Sequence, residues 1–192
     1  MRDYRWPGDE ALFGAINGFR IGWLDALFVL ASNRYFIIVV GLLFLAWVMY
    51  REWERRYQVL GHVAAAVTLT DVLGAHGLKP LFGRIRPCYA MVEGTFRCLL
   101  PAANVGSMPS LHAANAFAVA VSLTLWRPKL AWAAMPLATL IAVSRIGVGV
   151  HWPSDVLAGM LYGSAVGTGL FIGLRRLMGV QTSNAVVGTS AR

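Results

Sequence analysis

Long apolar stretches separated by short clusters of charge run through most of the chain, and their lengths predict helices rather than strands. The first uninterrupted stretch covers residues 35–50, with Asn33 and Trp53 at its edges, and ends in a charged turn at 51–56. A second covers residues 57–78 and carries His62, Asp71 and His76, ionisable groups that are expensive in lipid and are therefore expected to face other helices. The third covers residues 110–126, the fourth 130–144 and the fifth 155–174, with the turn Arg127-Pro128-Lys129 between the third and fourth and Arg175-Arg176 after the last. Spanning a bilayer takes roughly 20 apolar residues. The pattern therefore predicts an all-α integral membrane helical bundle with about five transmembrane helices. Ahead of them, Asn17, Arg20 and Asp25 interrupt the apolar residues, a poor profile for hydrocarbon, so residues 1–34 read as an interfacial amphipathic segment. No apolar core with a cleavage site follows the opening residues, and a removable signal peptide is not expected. Residues 1–178 read as one membrane-embedded domain and the small, polar 179–192 as a flexible tail.

Composition agrees with a membrane location: of 192 residues, 57% are hydrophobic and only 14% charged, too little polar surface for a soluble fold of this size. High apolar content, no glycine repeat and two Cys exclude disorder, collagen and a disulfide-dense mini-protein. Lys and Arg outnumber Asp and Glu by 17 to 9, a balance that suits anionic lipid headgroups, nucleic acid or a phosphorylated substrate without choosing among them.

Residues 79–109 are the one long break in hydrophobicity and hold Lys79, Arg84, Arg86, Arg97, four Pro and both Cys. With five spans, this active-site loop and the turn at 145–155 share a side, opposite the basic turns at 51–56, 127–129 and 175–176. Short basic turns stay in the cytoplasm, which puts the working surface outside. This orientation requires several cations of the outer loop to be bound up in an anion site.

Three segments meet on that side: Lys79 with Arg86-Pro87, then Pro109-Ser110-Leu111-His112, then Arg145 with His151 and Asp155. Arginine forks hold phosphate oxygens in pairs and lysine adds a point charge, so Lys79, Arg86 and Arg145 suit a phosphoryl group and its transition state. Pro109 fits the first position of a helix, which would turn the free amides of Ser110 and Leu111 outward toward an anion and put His112 in the first turn. His151 and Asp155 are four residues apart, close enough for the carboxylate to hold one ring nitrogen and leave the other as an exposed lone pair able to attack phosphorus. Gly147 and Gly149 would let the turn between approach a ligand. Singly, each feature has a plain reading as a snorkelling anchor or a satisfied polar group; jointly they do not.

Together the three segments resemble the signature of the type 2 phosphatidic acid phosphatase superfamily, over residues 79–155. The resemblance implies a helical core in which Lys79, Arg86 and Arg145 bind phosphate and Ser110 assists. It further implies that His151 becomes phosphorylated, His112 protonates the leaving oxygen and Asp155 supports His151, with no metal and no cofactor. Leu111 departs from it, since the family usually has Gly or a small residue there; its amide can still donate. The expected activity is a membrane lipid phosphatase with undecaprenyl diphosphate ranked first, then phosphatidylglycerol phosphate and lipid A. Its partners are the lipid substrate and membrane lipids, with no nucleic acid, and its site faces the outer or periplasmic side of the cytoplasmic membrane. Phosphotransfer to another lipid or sugar remains open, as does a transporter using His62, Asp71 and His76 as an ion path, with a haloperoxidase-like oxidation more remote. Asp71, His76 and Arg84 lie near the signature without belonging to it, and Asp71 either pairs with a signature cation or packs helices. Cys88 and Cys98 share the outer loop, where a disulfide would staple it; the alternative is two unlinked thiols.

Overall fold

The computed structural model describes residues 2–19, 21–51, 54–102 and 104–189, with side chains through residue 177. Two short helices, α1 (Asp9–Asn17) and α2 (Gly22–Ser32), are bent 114° to one another. Asn33 then starts α3 (Arg34–Arg51) by accepting the Tyr35 and Phe36 amides on its side chain at 2.9 and 3.2 Å, satisfying donors that a helix start leaves free. Apolar all round, α3 buries only Val48 among its residues and presents most of its surface outward.

Helix α4 (Arg56–Leu73) continues through one π turn (Gly74–Leu78) into α5 (Lys79–Phe82), so that a rod of 27 residues, Arg56–Phe82, carries Lys79 on its last turn. Gly83 stops it in the left-handed region, at φ 56°, with its amide on the Lys79 carbonyl. After the short α6 (Pro87–Ala90) come α7 (Leu111–Trp126), a 3-10 turn (Pro128–Leu130), α8 (Ala131–Gly147) and α9 (Pro153–Thr189). The backbone of α9 thus runs into the segment read as a tail, 179–192, whose side chains lie outside the described residues.

Among the described residues the protein is an all-α membrane bundle in which four helices are long and apolar enough to cross: Arg34–Arg51, Arg56–Phe82, Pro128–Gly147 and Pro153–Leu177. The expected third span, α7, has 16 residues and falls short of that length. The reason is its position. It packs against α4, α8 and α9 at the centre of the bundle, so its neighbours are protein rather than lipid.

The polar groups that marked the N-terminal segment as interfacial are bonded to protein. Asn17 donates to the Arg97 and Gly147 carbonyls at 2.9 Å and accepts the Arg97 amide at 2.8 Å, while Asp25 takes the Arg97 guanidinium at 2.6 Å. Arg20 lies outside the described residues.

Helices α7 and α9 approach closely enough to touch backbone to backbone. Gly159, Gly163 and Gly167 recur every fourth residue on α9, against Ser110, Ala114, Ala118 and Ser122 of α7. A side chain at Gly163 would drive into the Ala114 carbonyl. Small residues at this spacing let membrane helices pack by van der Waals contact where no hydrophobic drive separates protein from lipid. His62 ties the same helices together: it donates from Nε2 to the Gly167 carbonyl at 2.9 Å and accepts the Trp126 indole N–H on Nδ1 at 2.9 Å. Of the other ionisable residues of the second span, His76 is bonded to the Val72 carbonyl and Asp71 to Asn115.

Gly163→Ala should therefore destabilise the detergent-solubilised protein by about 1–3 kcal/mol through overpacking, read as a lower melting temperature. Gly169→Ala, with nothing near the added methyl, should leave it unchanged or slightly raised; equal melting curves for the two variants would contradict the close contact.

Candidate active site

The helix ends gather the signature residues around the head of a cavity of about 670 Å³ lined by Lys79, Arg86, Leu111, His112, Arg145 and His151. From there it runs along the apolar faces of α2, α3, α7 and α8. Lys79 arrives on the last turn of the α4–α5 rod and Arg145 on the last turn of α8, where a cation complements the helix dipole. Leu111 opens α7 with Ser110 as its N-cap.

Arg86 is the centre of the group. It is nearly buried, and its Nη1 donates to His151 Nε2 at 2.7 Å and to the Val150 carbonyl at 3.0 Å. Nε and Nη2 are held by the carbonyl and side-chain oxygens of Asn104 at 2.7 and 3.1 Å. Lys79 donates to the Gly106 carbonyl at 2.9 Å, and Arg145 to the Ser32 carbonyl at 3.2 Å. The Arg145 Nε, at the cavity head, and the Ser110 hydroxyl, at the start of α7, are buried without a protein partner.

His151 is 2% exposed. Its Nδ1 lies 3.4 Å from Asp155 Oδ2, so Nδ1 carries the proton and Nε2 the lone pair that faces Arg86. Burial, reinforced by the charges of Arg86, Arg145 and Lys79, pushes this imidazole well below its ordinary pKa, and at neutral pH it is uncharged. Asp155 sits in the first turn of α9, where its Oδ2 also accepts the Trp152 amide at 2.9 Å. A carboxylate reaching back to the residue ahead of its helix is a capping-box arrangement, and it fixes the loop carrying His151 to the helix carrying Asp155.

Several local expectations are corrected. Pro109 precedes α7 and is not its first residue, and the Ser110 amide is engaged by the Asp155 carbonyl at 3.0 Å. The amides left free at this helix start are those after Ser110. The second nitrogen of His151 faces the Arg86 fork and is not exposed. Gly147 abuts the Phe28 ring and Gly149, at φ 87°, the Arg97 backbone, so both make room for protein rather than ligand. Asp71 accepts from the Asn115 amide at 3.1 Å instead of pairing with a signature cation. The bulk of Leu111 is seated over Gly74, at the π turn. Both thiols are free: Cys98 is exposed, and Cys88 lies half-buried beside it with burial raising its pKa to about 11.

Four residues that sequence reasoning missed are Arg84, Asp9, Ser154 and Asn104. Arg84 is fully buried and bridges Asp155 Oδ1 at 2.7 Å and Asp9 Oδ2 at 2.5 Å. No spacing marked it: Arg84 stands two residues before Arg86 in a basic loop, and only the fold gives them separate partners, Asp9 and Asp155 for Arg84, Asn104 and His151 for Arg86. Among the described residues no three His, Cys, Asp or Glu side chains gather as a metal cage.

The chain matches the PAP2 superfamily over residues 57–178. It is 34% identical to an undecaprenyl-diphosphatase of Sulfolobus acidocaldarius over 157 residues, 80% of this chain and 72% of that one. With a lipid A 4'-phosphatase of Porphyromonas gingivalis it shares 26% over 170 residues, 86% of this chain and 72% of that one. The crystal structure of Aquifex aeolicus LpxE superposes with a TM-score of 0.73 at 27% identity, covering 89% of this chain and 99% of that one. A PAP2-type phosphatidylglycerolphosphate phosphatase from Bacillus subtilis shares the fold, at TM-score 0.65 and 23% identity, over 88% of this chain and 85% of that one. With the fold, the site's cations and histidines and these likenesses in agreement, the chain belongs to the PAP2 superfamily, in its membrane lipid phosphatase branch.

Proposed function

We propose that this protein hydrolyses the terminal phosphate of a membrane lipid through a phosphohistidine on His151. The observation that carries the reading is the pairing of the buried His151 imidazole with the Arg86 fork, 2.7 Å from its lone-pair nitrogen, at the head of a mostly apolar cavity. A phosphate held by Arg86, Lys79, Arg145, the Ser110 hydroxyl and the first amides of α7, Leu111 among them, would lie within reach of Nε2. Nε2 forms a bond to phosphorus as the P–O bond to the leaving group breaks, an ester bond in a lipid monophosphate and an anhydride bond in a diphosphate, and the leaving oxygen takes a proton from His112. Water then attacks phosphorus and gives its proton to His112. The P–N bond breaks, its electron pair returns to Nε2, and inorganic phosphate departs. The developing charge falls on the three cations, and Asp155 steadies the imidazole as it becomes cationic.

Undecaprenyl diphosphate stands first among substrates, by likeness to the Sulfolobus enzyme. Phosphatidylglycerol phosphate and lipid A follow by likeness to the other relatives. Transfer of the phosphoryl group to another hydroxyl differs only in the second step. For the membrane arrangement, the proposal takes α7 as a fifth, protein-wrapped span and the N-terminal pair as an interfacial cover, with the site on the outer face of the cytoplasmic membrane.

Phosphate release from a panel of purified lipid phosphates and diphosphates tests the activity. His151→Ala should abolish release and Asp155→Asn lower it strongly with the protein still folded; an active His151→Ala would refute the covalent step. Arg86→Lys and Arg145→Lys should each lose about 10²–10³ in kcat despite the retained charge, because an ammonium cannot make a planar two-point contact. Wild-type rates in both would reduce these residues to anchors. In intact cells, a membrane-impermeant maleimide should label the free, exposed Cys98. Labelling only in permeabilised cells would overturn the orientation.

A further inference from the structure

Behind His151, on the side away from the cavity, lies a buried polar chain that the proposed reaction leaves unused. Arg84, 0% exposed, donates from Nη1 to Asp155 Oδ1 and to Ser154 Oγ, both at 2.7 Å. Its Nη2 donates to Asp9 Oδ2 at 2.5 Å, its Nε to the Tyr4 carbonyl at 3.0 Å, and its plane faces the Tyr4 and Trp152 rings. Asp9 is itself buried. It accepts the Ser154 amide at 2.9 Å, the Ser154 hydroxyl at 2.7 Å and the Trp6 amide at 3.0 Å.

Two features separate this arrangement from ordinary helix packing. The two oxygens of Asp155 are divided: Oδ1 belongs to Arg84, and Oδ2 is left to the Trp152 amide and to His151 Nδ1. At 3.4 Å the last contact is near the limit of a hydrogen bond, where a few tenths of an ångström in the carboxylate decide whether it forms. Further, Asp9 satisfies the Ser154 amide in the first turn of α9 from another helix, putting a negative charge at the positive end of the dipole, one residue from Asp155. A buried ion pair is a weak source of net stability compared with apolar packing. What it fixes well is direction.

We propose that Arg84 and Asp9 are positioning residues of the catalytic centre: Asp9 locks the Arg84 fork and the first turn of α9, and the fork turns Asp155 so that Oδ2 holds His151 with Nε2 toward the phosphate. The N-terminal segment is then part of the working site through Tyr4, Trp6 and Asp9. This inference rests on the phosphohistidine reading.

The test uses the full chain in detergent and a lipid phosphate that the wild type hydrolyses, with inorganic phosphate as a competitive probe of the cation site. Asp9→Asn should lower kcat by about 10–100-fold, the range seen for partners of functional histidines elsewhere, while KM and the phosphate inhibition constant stay within about twofold. Arg84→Lys should retain more kcat than Arg84→Met, since one of its contacts survives. Ser154→Ala removes only the hydroxyl link and should lower kcat several-fold at unchanged melting temperature, which decides the matter if the charged variants do not fold. Unchanged kcat in folded Asp9→Asn or in Ser154→Ala would overturn the proposal, as would losses confined to KM and the phosphate inhibition constant. An inactive His151→Ala beside a fully active Asp9→Asn would sink this inference alone, whereas an active His151→Ala would sink the reading beneath it.

Discussion

The site depends on keeping like charges together at the end of an apolar bundle without letting carboxylates neutralise them. Arg84 alone takes the two buried carboxylates, Asp9 and Asp155. Lys79, Arg86 and Arg145 are held by neutral acceptors: the Gly106, Asn104, Val150 and Ser32 carbonyls and the Asn104 side chain. Carbonyl oxygens satisfy donors while leaving the charge uncompensated, so the cavity head carries a positive field in surroundings where an anion gains far more than it would in water. Burial above all, and the same field with it, disfavours a proton on His151. One arrangement of charge thus prepares both the binding of an anion and the lone pair beside it.

That separation explains what could be read from the sequence and what could not. Lys79, Arg86, His112, Arg145, His151 and Asp155 stood out because their residue types suit a phosphate and their segments all border breaks in hydrophobicity. Asp9 and Arg84 are bonded across 75 positions and Asp9 and Ser154 across 145. No periodicity links such residues; only the docking of α1 over the end of α9 does. Arg84 was hidden by its neighbours, one more cation in a basic loop, and Asn17 and Asp25 looked like headgroup-facing residues because their partner, Arg97, lies in a loop with no regular pattern. The long spans were legible from apolar length alone. Helix α7 was legible as a helix, yet its central position comes from small residues on α9, which carry no hydropathy signal.

Backbone contact between α7 and α9 also sets the dimensions of the site. Gly159 packs beneath the Ser110 carbonyl, and the Ser110 amide donates to the Asp155 carbonyl at 3.0 Å. The helix start bearing Ser110 and His112 is therefore referenced to the helix start bearing Asp155 by main-chain atoms, which shift less than side chains. His151 is tied to the same point through the Trp152 amide on Asp155. His151, Asp155 and the α7 helix start form one unit tied by main-chain bonds, against which the cations arrive from α5, the loop and α8.

The cavity below this unit is built differently, and the contrast bears on the kind of molecule that fits. Its walls are mostly apolar side chains of α2, α3, α4, α7 and α8, and α3 is the least packed of the long helices. A small soluble phosphate ester would meet the cations and leave those walls in contact with nothing it could use. An amphiphile fills both parts: each buried methylene adds about 0.8 kcal/mol relative to water, although a lipid already in the bilayer gains much less, since hydrocarbon is its starting medium. Chain burial therefore contributes little to affinity for a membrane-resident substrate. Its effect is positional, because a chain lying along α3 limits how the phosphate can turn at the cavity head, and orientation of the reacting group is where binding energy raises rate rather than occupancy.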